Sequence, residues 1–152
     1  MYSDPMHEDI EHEHDPLEDC FERAMMEERP IEDCFSDFGE EVIVWPNGDE
    51  HHCARRVVIK ADDMVHMGYQ WDLVNMIRDY IRRCPMVEKI TILGSEYAMK
   101  ELKVVTGNCG KRGDFGGFIA GINVLKTPPI RVCCMSKRGS GPTSHVERVV
   151  YY

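Results

Sequence analysis

The feature that most constrains this sequence is the uneven distribution of charge along it. Residues 1–41 contain sixteen Asp and Glu against two Arg, a net charge of −14, whereas residues 42–152 contain eleven acids against sixteen Lys and Arg, a net charge of +5. A segment with so many like charges has little to bury and cannot build a core alone. The division therefore predicts an extended acidic N-terminal arm over 1–41 and a compact domain over 42–152.

The composition of the whole chain agrees with one folded domain. It has 152 residues, of which 43% are apolar, and this is enough to bury a core without further staples. It contains no apolar run long enough for a membrane-spanning helix, and its acidic beginning lacks the apolar stretch of a secretory signal. We therefore expect no membrane partner.

The arm contains a short repeat. The motif PLEDCF at 16–21 recurs as PIEDCF at 30–35. Pro before helix-compatible residues can start a short helical turn in each copy. One hypothesis is that the two copies dock on two equivalent sites of a partner, and the alternative is a pair of short helices packed on this chain's own body. The docking hypothesis assigns partner binding to Leu17, Cys20, Phe21, Ile31, Cys34 and Phe35.

The pattern of apolar and turn-forming residues in 42–152 predicts an α+β domain. Strands at 41–45 and 54–60 flank the turn sequence Pro46-Asn47-Gly48-Asp49, which predicts a hairpin over 42–60. A long helix is predicted over 64–83 and a short helix over 96–102, capped by Ser95. Further strands are predicted at 87–93, 118–125, 130–135 and 145–152. The result is a small mixed or antiparallel sheet with one long and one short helix.

Seven cysteines are an unusually high number for a chain of this length. Without a secretory signal, the default expectation is reduced thiols that behave as small apolar groups, as for Cys84 and for one of the neighbours Cys133 and Cys134. Cys20 and Cys34 differ because the arm offers no core to hide them. We expect these two thiols to occupy partner pockets or to form disulfides between subunits.

No established catalytic or metal-binding motif is present. Gly110-Lys111 is followed by Arg112 rather than Ser or Thr, so the glycine-rich loop departs from the P-loop pattern. No Cys-x-x-Cys pair occurs, and the histidines lack zinc-finger spacing. The sequence therefore predicts no enzyme, no metal and no cofactor. A thiol enzyme centred on Cys109 or Cys133 is a weaker alternative.

The basic residues of the body offer a candidate contact surface for nucleic acid. Aromatic residues do not alternate with these charges, so no base-stacking platform is indicated. The candidate residues are Arg55, Arg56, Lys111, Arg112, Lys137 and Arg138.

The region from residue 90 to 125 resembles head and other virion proteins of tailed bacteriophages. The likeness is carried by the strand, turn and short helix of 90–102, a glycine-rich loop, and the apolar strand of 117–125. In those proteins the second strand usually carries Pro where this chain has Asn123. The resemblance implies a structural role in a virus particle, assembled in the host cytoplasm, without enzyme activity.

These observations lead to two hypotheses of function. The first is a non-enzymatic, capsid-associated or other virion component that clips onto neighbouring virion subunits through its arm, as a homo-oligomer or in a hetero-assembly. The second is a small regulatory nucleic-acid-binding protein whose acidic arm competes in cis for its basic surface.

Overall fold

The computed structural model describes residues 15–35, 42–46, 53–68, 73–102, 129–139 and 141–151. Within these ranges the chain forms four α-helices, two 3-10 helices and five β-strands. The helices are α1 (Pro16–Glu27), α2 (Ala61–His66), α3 (Leu73–Arg83) and α4 (Glu96–Glu101), with 3-10 helices at Ile31–Cys34 and Gly141–Thr143. The strands are β1 (Val42–Trp45), β2 (Arg56–Lys60), β3 (Lys89–Ser95), β4 (Arg131–Arg138) and β5 (His145–Tyr151).

The five strands form one mixed sheet in the order β1-β2-β3-β4-β5. The first four are parallel, and β5 runs antiparallel to β4. Strands β3 and β4 are buried almost continuously, as is usual where helices cover both faces of a parallel sheet. The predicted α+β class and mixed sheet are confirmed.

The predicted hairpin over 42–60 is wrong. Val42 pairs with Arg56 and Trp45 with Ile59, so β1 and β2 run parallel. The Asn47-Gly48 turn that suggested the hairpin lies outside the described residues. Strand β2 lies between β1 and β3, and its three central residues are all buried. This pattern fits a central parallel strand better than one arm of a half-exposed hairpin.

The predicted long helix over 64–83 is replaced by two helices, α2 and α3. Helix α2 is capped at its C-terminus by Met67, and Gly68 follows with φ +82°. A glycine in this left-handed conformation is a common helix stop because it has no Cβ to clash. The predicted apolar stripe persists in α3 and just after it, where Leu73, Ile77, Tyr80 and Cys84 are buried.

Both faces of the sheet are covered. One face packs against α2, α3 and α4, with Ile59, Ile92 and Cys134 in the same core as Ile77. The opposite face packs against residues 15–35, which we call the covering segment. Parallel strands are rarely stable with one face in water, so the covering segment completes the fold as its second helical layer.

The start of the covering segment follows from local sequence. Asp15 caps α1 by accepting hydrogen bonds from the backbone N–H groups of Leu17 (3.0 Å) and Glu18 (3.4 Å). Pro16 occupies the first helical position, where its missing N–H is not needed. The second copy of the repeat forms the 3-10 helix Ile31–Cys34 directly after Pro30. Each copy therefore starts a helix, as expected, but the first copy begins a twelve-residue α-helix rather than a single short turn. The described part of the arm is helical rather than extended.

The remaining predicted elements are partly confirmed. The short helix α4 is capped by Ser95, whose Oγ accepts from the N–H of Ala98 at 3.1 Å. Strands β3, β4 and β5 lie within a few residues of their predicted bounds. The predicted strand over 118–125 lies outside the described residues.

Candidate functional site

The two copies of the repeat pack against their own sheet. Leu17 and Phe21 are fully buried and Cys34 is nearly so, in one cluster with Val58 and Met135. The Ile31, Phe35 and Cys20 side chains pack at the edge of the same cluster, and the Phe21 and Phe35 rings meet edge to face at 5.7 Å. This is the arrangement of the alternative hypothesis, short helices on the chain's own body. Partner docking by these six residues stays a prediction, and it would require the covering segment to leave this position.

The cysteines differ from expectation. Cys20 and Cys34, the thiols of the two repeat copies, form a disulfide with each other within the chain. The predicted disulfide between subunits is therefore corrected, because both sulfur atoms are used internally. Cys84 is paired with Cys53 rather than free.

Carboxylates of the covering segment form ion pairs with Lys and Arg side chains of the sheet. We call this set of ion pairs the acid–base seam. Its centre is a row of three cations, because the first residues of β2, β3 and β4 are in register: Arg56 pairs with Lys89, and Lys89 with Arg131. Asp15 is hydrogen-bonded to both Arg56 and Lys89. Burial by itself would raise the pKa of Asp15, but the hydrogen bonds and charges of these two cations outweigh it and hold that pKa far below its ordinary value.

Glu18 is the most buried member of the seam. Its side chain has no solvent exposure, and its carboxylate lies 3.0 Å from the ammonium of Lys89 and 3.5 Å from the guanidinium of Arg131. Neither carboxylate oxygen makes a hydrogen bond within the described residues, so the charges of these cations are what offset its burial, and removing one of them would cost several kcal/mol.

The outer part of the seam is more accessible. Arg148 pairs with Asp19 at 3.1 Å and Glu22 at 3.0 Å, and its side chain is 32% exposed. Lys60 pairs with Glu32 at 2.9 Å. Lys137 lies 3.8 Å from Glu28, whose side chain is 84% exposed. Exposed pairs of this kind contribute little to stability and exchange readily with other ions.

The predicted basic surface is only partly assembled. Arg56 and Lys137 belong to the seam, whereas Arg55 pairs with Glu88 and Arg138 pairs with Glu96 and Glu147. Lys111 and Arg112 lie outside the described residues. Sequence reasoning missed four seam cations: Lys60, Lys89, Arg131 and Arg148. For Lys89 and Arg131 the available signal was that β2, β3 and β4 each begin with a cation, whereas Lys60 and Arg148 had no such signal.

A crevice of about 680 Å³ opens at the carboxyl ends of β2, β3 and β4. One wall is the end of the covering segment, including Glu28 and Glu32, and the opposite wall includes Lys60 and Lys137. Its volume falls in the range of small-molecule sites. The crevice is therefore a second candidate site, and two of the outer ion pairs of the seam, Lys60 with Glu32 and Lys137 with Glu28, belong to its lining.

The floor of the crevice is fixed by two local contacts. Asp62 accepts hydrogen bonds from the backbone N–H of Ser95 at 3.0 Å and from its Oγ at 2.6 Å. A Cβ on Gly94 would lie 3.0 Å from the Cβ of Ala61, so a larger residue would require β3 or α2 to shift slightly. These contacts join the end of β3 to α2 beside the crevice.

The free thiols are poorly suited to nucleophilic chemistry. Burial, with a contribution from the charge of Glu18, raises the pKa of Cys133 to about 12, so the thiol is protonated at neutral pH. Burial also raises the pKa of Cys134 well above its ordinary value. Cys109, the other cysteine considered for catalysis, lies outside the described residues. Within the described ranges, no group of three or more His, Cys, Asp or Glu side chains is arranged to hold a metal ion.

Comparisons with known proteins give no relatives. No family model, curated protein or solved structure matches this chain. The resemblance to tailed-phage virion proteins therefore stays a prediction, and residues 103–125 of the region that carries it lie outside the described residues. None of the described helices is long and apolar enough to cross a membrane.

Proposed function

We propose that this chain is a small regulatory nucleic-acid-binding protein whose basic sheet surface is occupied by its own acidic covering segment. The observation that supports the proposal is the acid–base seam, in which carboxylates of one segment neutralise cations drawn from four strands. The carboxylates are Asp15, Glu18, Asp19, Glu22, Glu28 and Glu32, and the cations are Arg56, Lys60, Lys89, Arg131, Lys137 and Arg148.

The physical basis of the proposal is that carboxylates and phosphates are interchangeable counter-ions for Lys and Arg. A surface that binds a row of carboxylates in cis has the charge needed to bind a phosphate backbone in trans. While the segment is in place, it lowers the local positive potential and so weakens nucleic-acid binding. The overall charge of −9 disfavours binding by the rest of the surface.

Competition is expected at the outer cations rather than by release of the whole segment. Lys60, Lys137 and Arg148 have side chains that are 24%, 27% and 32% exposed, whereas the inner cations are held around Asp15 and Glu18. Releasing the segment would also expose the apolar cluster around Phe21. Nucleic acid therefore needs to displace only the exposed outer carboxylates.

The test neutralises the outer carboxylates without disturbing the core. The variant is Asp19→Asn/Glu22→Gln/Glu28→Gln/Glu32→Gln. Fluorescence anisotropy with a labelled single-stranded DNA, RNA or duplex should show binding at least tenfold tighter than for the wild type at 50 mM salt. The affinity should fall steeply between 50 and 200 mM salt, because each freed cation adds about −0.9 to the slope of log K against log salt on duplex DNA.

A control variant of the same net charge separates this effect from a general change in charge. It removes four carboxylates outside the seam: Glu27→Gln/Asp33→Asn/Asp79→Asn/Glu101→Gln. The control should gain far less affinity than the seam variant. Equal gains, or no binding by the seam variant at low salt, would overturn the proposal. Deletion of residues 1–41 is a poorer test because it uncovers Val58 and Met135.

The virion-assembly role is a second candidate, and it is favoured by one property of the same seam. The contacts between the covering segment and the sheet are self-complementary within one chain, so the segment of one copy could make them on the sheet of the next. Exchange of covering segments between copies would link the subunits through the same contacts that the segment makes within one chain. Light scattering during size-exclusion chromatography would support it by detecting an oligomer, and a monomer at all concentrations would count against it.

A further inference from the structure

We propose that the crevice at the carboxyl ends of β2, β3 and β4 binds the phosphate group of a phosphate monoester, with Lys60 and Lys137 as its cationic contacts. Glu28 and Glu32 are the counter-ions that the phosphate would displace from these two lysines, whereas Asp63 stays beside Lys60. This inference goes beyond the proposed function, because it concerns a small-molecule site and does not require binding along a nucleic-acid backbone.

The position of the crevice is the first argument. It lies where three neighbouring parallel strands end, at Lys60, Ser95 and Arg138, so side chains from three strands that are far apart in sequence meet at one opening. Its volume of about 680 Å³ falls in the range of small-molecule sites. A mononucleotide would fit in such a space.

The charges facing the crevice are the second argument. Lys60 donates to Glu32 at 2.9 Å and lies 3.3 Å from Asp63; Glu32 first and Asp63 second raise the pKa of Lys60, and the hydrogen bond from Lys60 lowers the pKa of Glu32. Lys137 has a looser partner, 3.8 Å away, in Glu28. Glu28 and Glu32 reach from the covering segment toward the strand ends, so their oxygens mark where anionic groups of a ligand can sit.

The ease of displacing these carboxylates is the third argument. The Glu28 and Glu32 side chains are 84% and 46% exposed, so their pairs with lysine are screened by water. A phosphate brings more charge and more acceptor oxygens than a carboxylate. Asp62 and Asp63 also line the crevice and keep their negative charge, so a phosphate has to bind on the side of Lys60 and Lys137 that faces Glu28 and Glu32.

The backbone around the crevice is the fourth argument. Gly139 and Gly141, which line it after β4, have φ of +78° and +67°. No atom of the described residues lies within 4 Å of the place where a Cβ of Gly141 would be. Glycines at such positions let a ligand approach the backbone closely. Glu28 also has a left-handed conformation, with φ 57°, which is uncommon for a residue with a side chain.

The test is isothermal titration calorimetry on the full chain with adenosine 5′-monophosphate as the probe, and with adenosine and inorganic phosphate in parallel. We expect the monophosphate to bind and adenosine not to bind. Lys137→Gln should weaken binding at least tenfold, and Glu28→Gln should strengthen it severalfold by removing a competitor. The control Lys100→Gln changes an exposed lysine of α4 outside the crevice and should bind like the wild type.

Each other outcome has a defined meaning. Binding of adenosine as tightly as the monophosphate, an equal effect of Lys137→Gln and Lys100→Gln, or no binding of any probe would overturn the inference. Tighter binding of a 5′-phosphorylated oligonucleotide than of its 5′-hydroxyl form would support the inference and identify a nucleic-acid end as the source of the phosphate. If the two oligonucleotides bind equally and the monophosphate binds, the result would support a free small molecule as the ligand. Salt-sensitive oligonucleotide binding without monophosphate binding would overturn this inference alone and leave the proposed function standing.

Discussion

Cys133 and Cys134 are adjacent in β4, and their thiols are buried on opposite faces of the sheet. Cys133 belongs to the apolar cluster under the covering segment, and Cys134 belongs to the core under α2, α3 and α4. The expectation that these neighbours point to opposite faces is confirmed. One of the two thiols was expected to be buried, and the structure buries both. Within the described residues, each core thus contains one free thiol, and alkylation of that thiol would show that its core has opened.

These thiols should be almost inert in the folded chain. With the pKa of Cys133 raised to about 12, and both side chains excluded from water, very little thiolate exists at pH 8. Iodoacetamide labelling followed by peptide mass spectrometry should modify neither residue without denaturant and both in urea. Rapid labelling of Cys133 in the folded chain would contradict the structure and revive the thiol-enzyme alternative.

The seam predicts a specific acid sensitivity through Asp15. Its pKa is depressed from an ordinary value of 3.8, so the folded chain keeps this carboxylate ionised at pH values where the unfolded chain protonates it. The stability it contributes is complete above about pH 4 and is lost as the pH falls toward the folded pKa, by at most about 1.4 kcal/mol per pH unit. Urea unfolding at pH 7, 4 and 3 should show a smaller acid loss for Asp15→Asn than for the wild type.

A matched variant tests the cause of this acid sensitivity. Asp79 is an exposed carboxylate that lies 4.0 Å from Arg82 on the same helix. Asp79→Asn should leave the dependence of stability on pH close to that of the wild type. If both variants reduced the loss of stability at low pH by the same amount, Asp15 would not be a specific cause of the acid sensitivity.

The disulfide between the two repeat copies should stabilise the monomer. It closes a loop with a sequence separation of 14, for which the loss of chain entropy in the unfolded state is worth about 3 kcal/mol. Cys20→Ser/Cys34→Ser should lower the free energy of unfolding by roughly this amount. Non-reducing electrophoresis should show a monomer, and a dimer that disappears on reduction would contradict the pairing within one chain.

The covering segment should behave as part of the core. Phe21 is fully buried, so Phe21→Ala should cost about 3–5 kcal/mol in unfolding free energy. Met26 lies on the same helix and is 36% exposed, so Met26→Ala should cost much less. Equal, small effects measured by urea unfolding would mean that the segment is a loosely attached arm.

Local features of the fold could be predicted from sequence, and the sheet's connections could not. The Ser95 cap, the helical starts at Pro16 and Pro30, and the stripe through Ile77 depend on neighbouring residues alone. The hairpin prediction failed because Asn47-Gly48 is a local turn signal, whereas the choice between parallel and antiparallel pairing depends on which strand lies on the far side of β2.

For the candidate site, the sequence predicted which kinds of charged residue take part but not how they are arranged. An acidic arm and a basic body indicated attraction between them, but not whether it acts within or between chains. Arg56, Lys89 and Arg131 form a row only through strand register, which the sequence does not reveal before the sheet order is known. The crevice likewise depends on three strands that are far apart in sequence ending at one edge.

The packing of the covering segment on β4 and β5 has a consequence for synthesis. Residues 15–35 leave the ribosome long before residues 131–151, which supply much of the surface they cover. Until that surface exists, the apolar side of α1 lacks Cys133 and Met135 of its cluster, and the negative charge of the segment disfavours its association with other chains. The carboxylates that later pair with cations of the sheet therefore also disfavour aggregation of the nascent chain before β4 and β5 are synthesised.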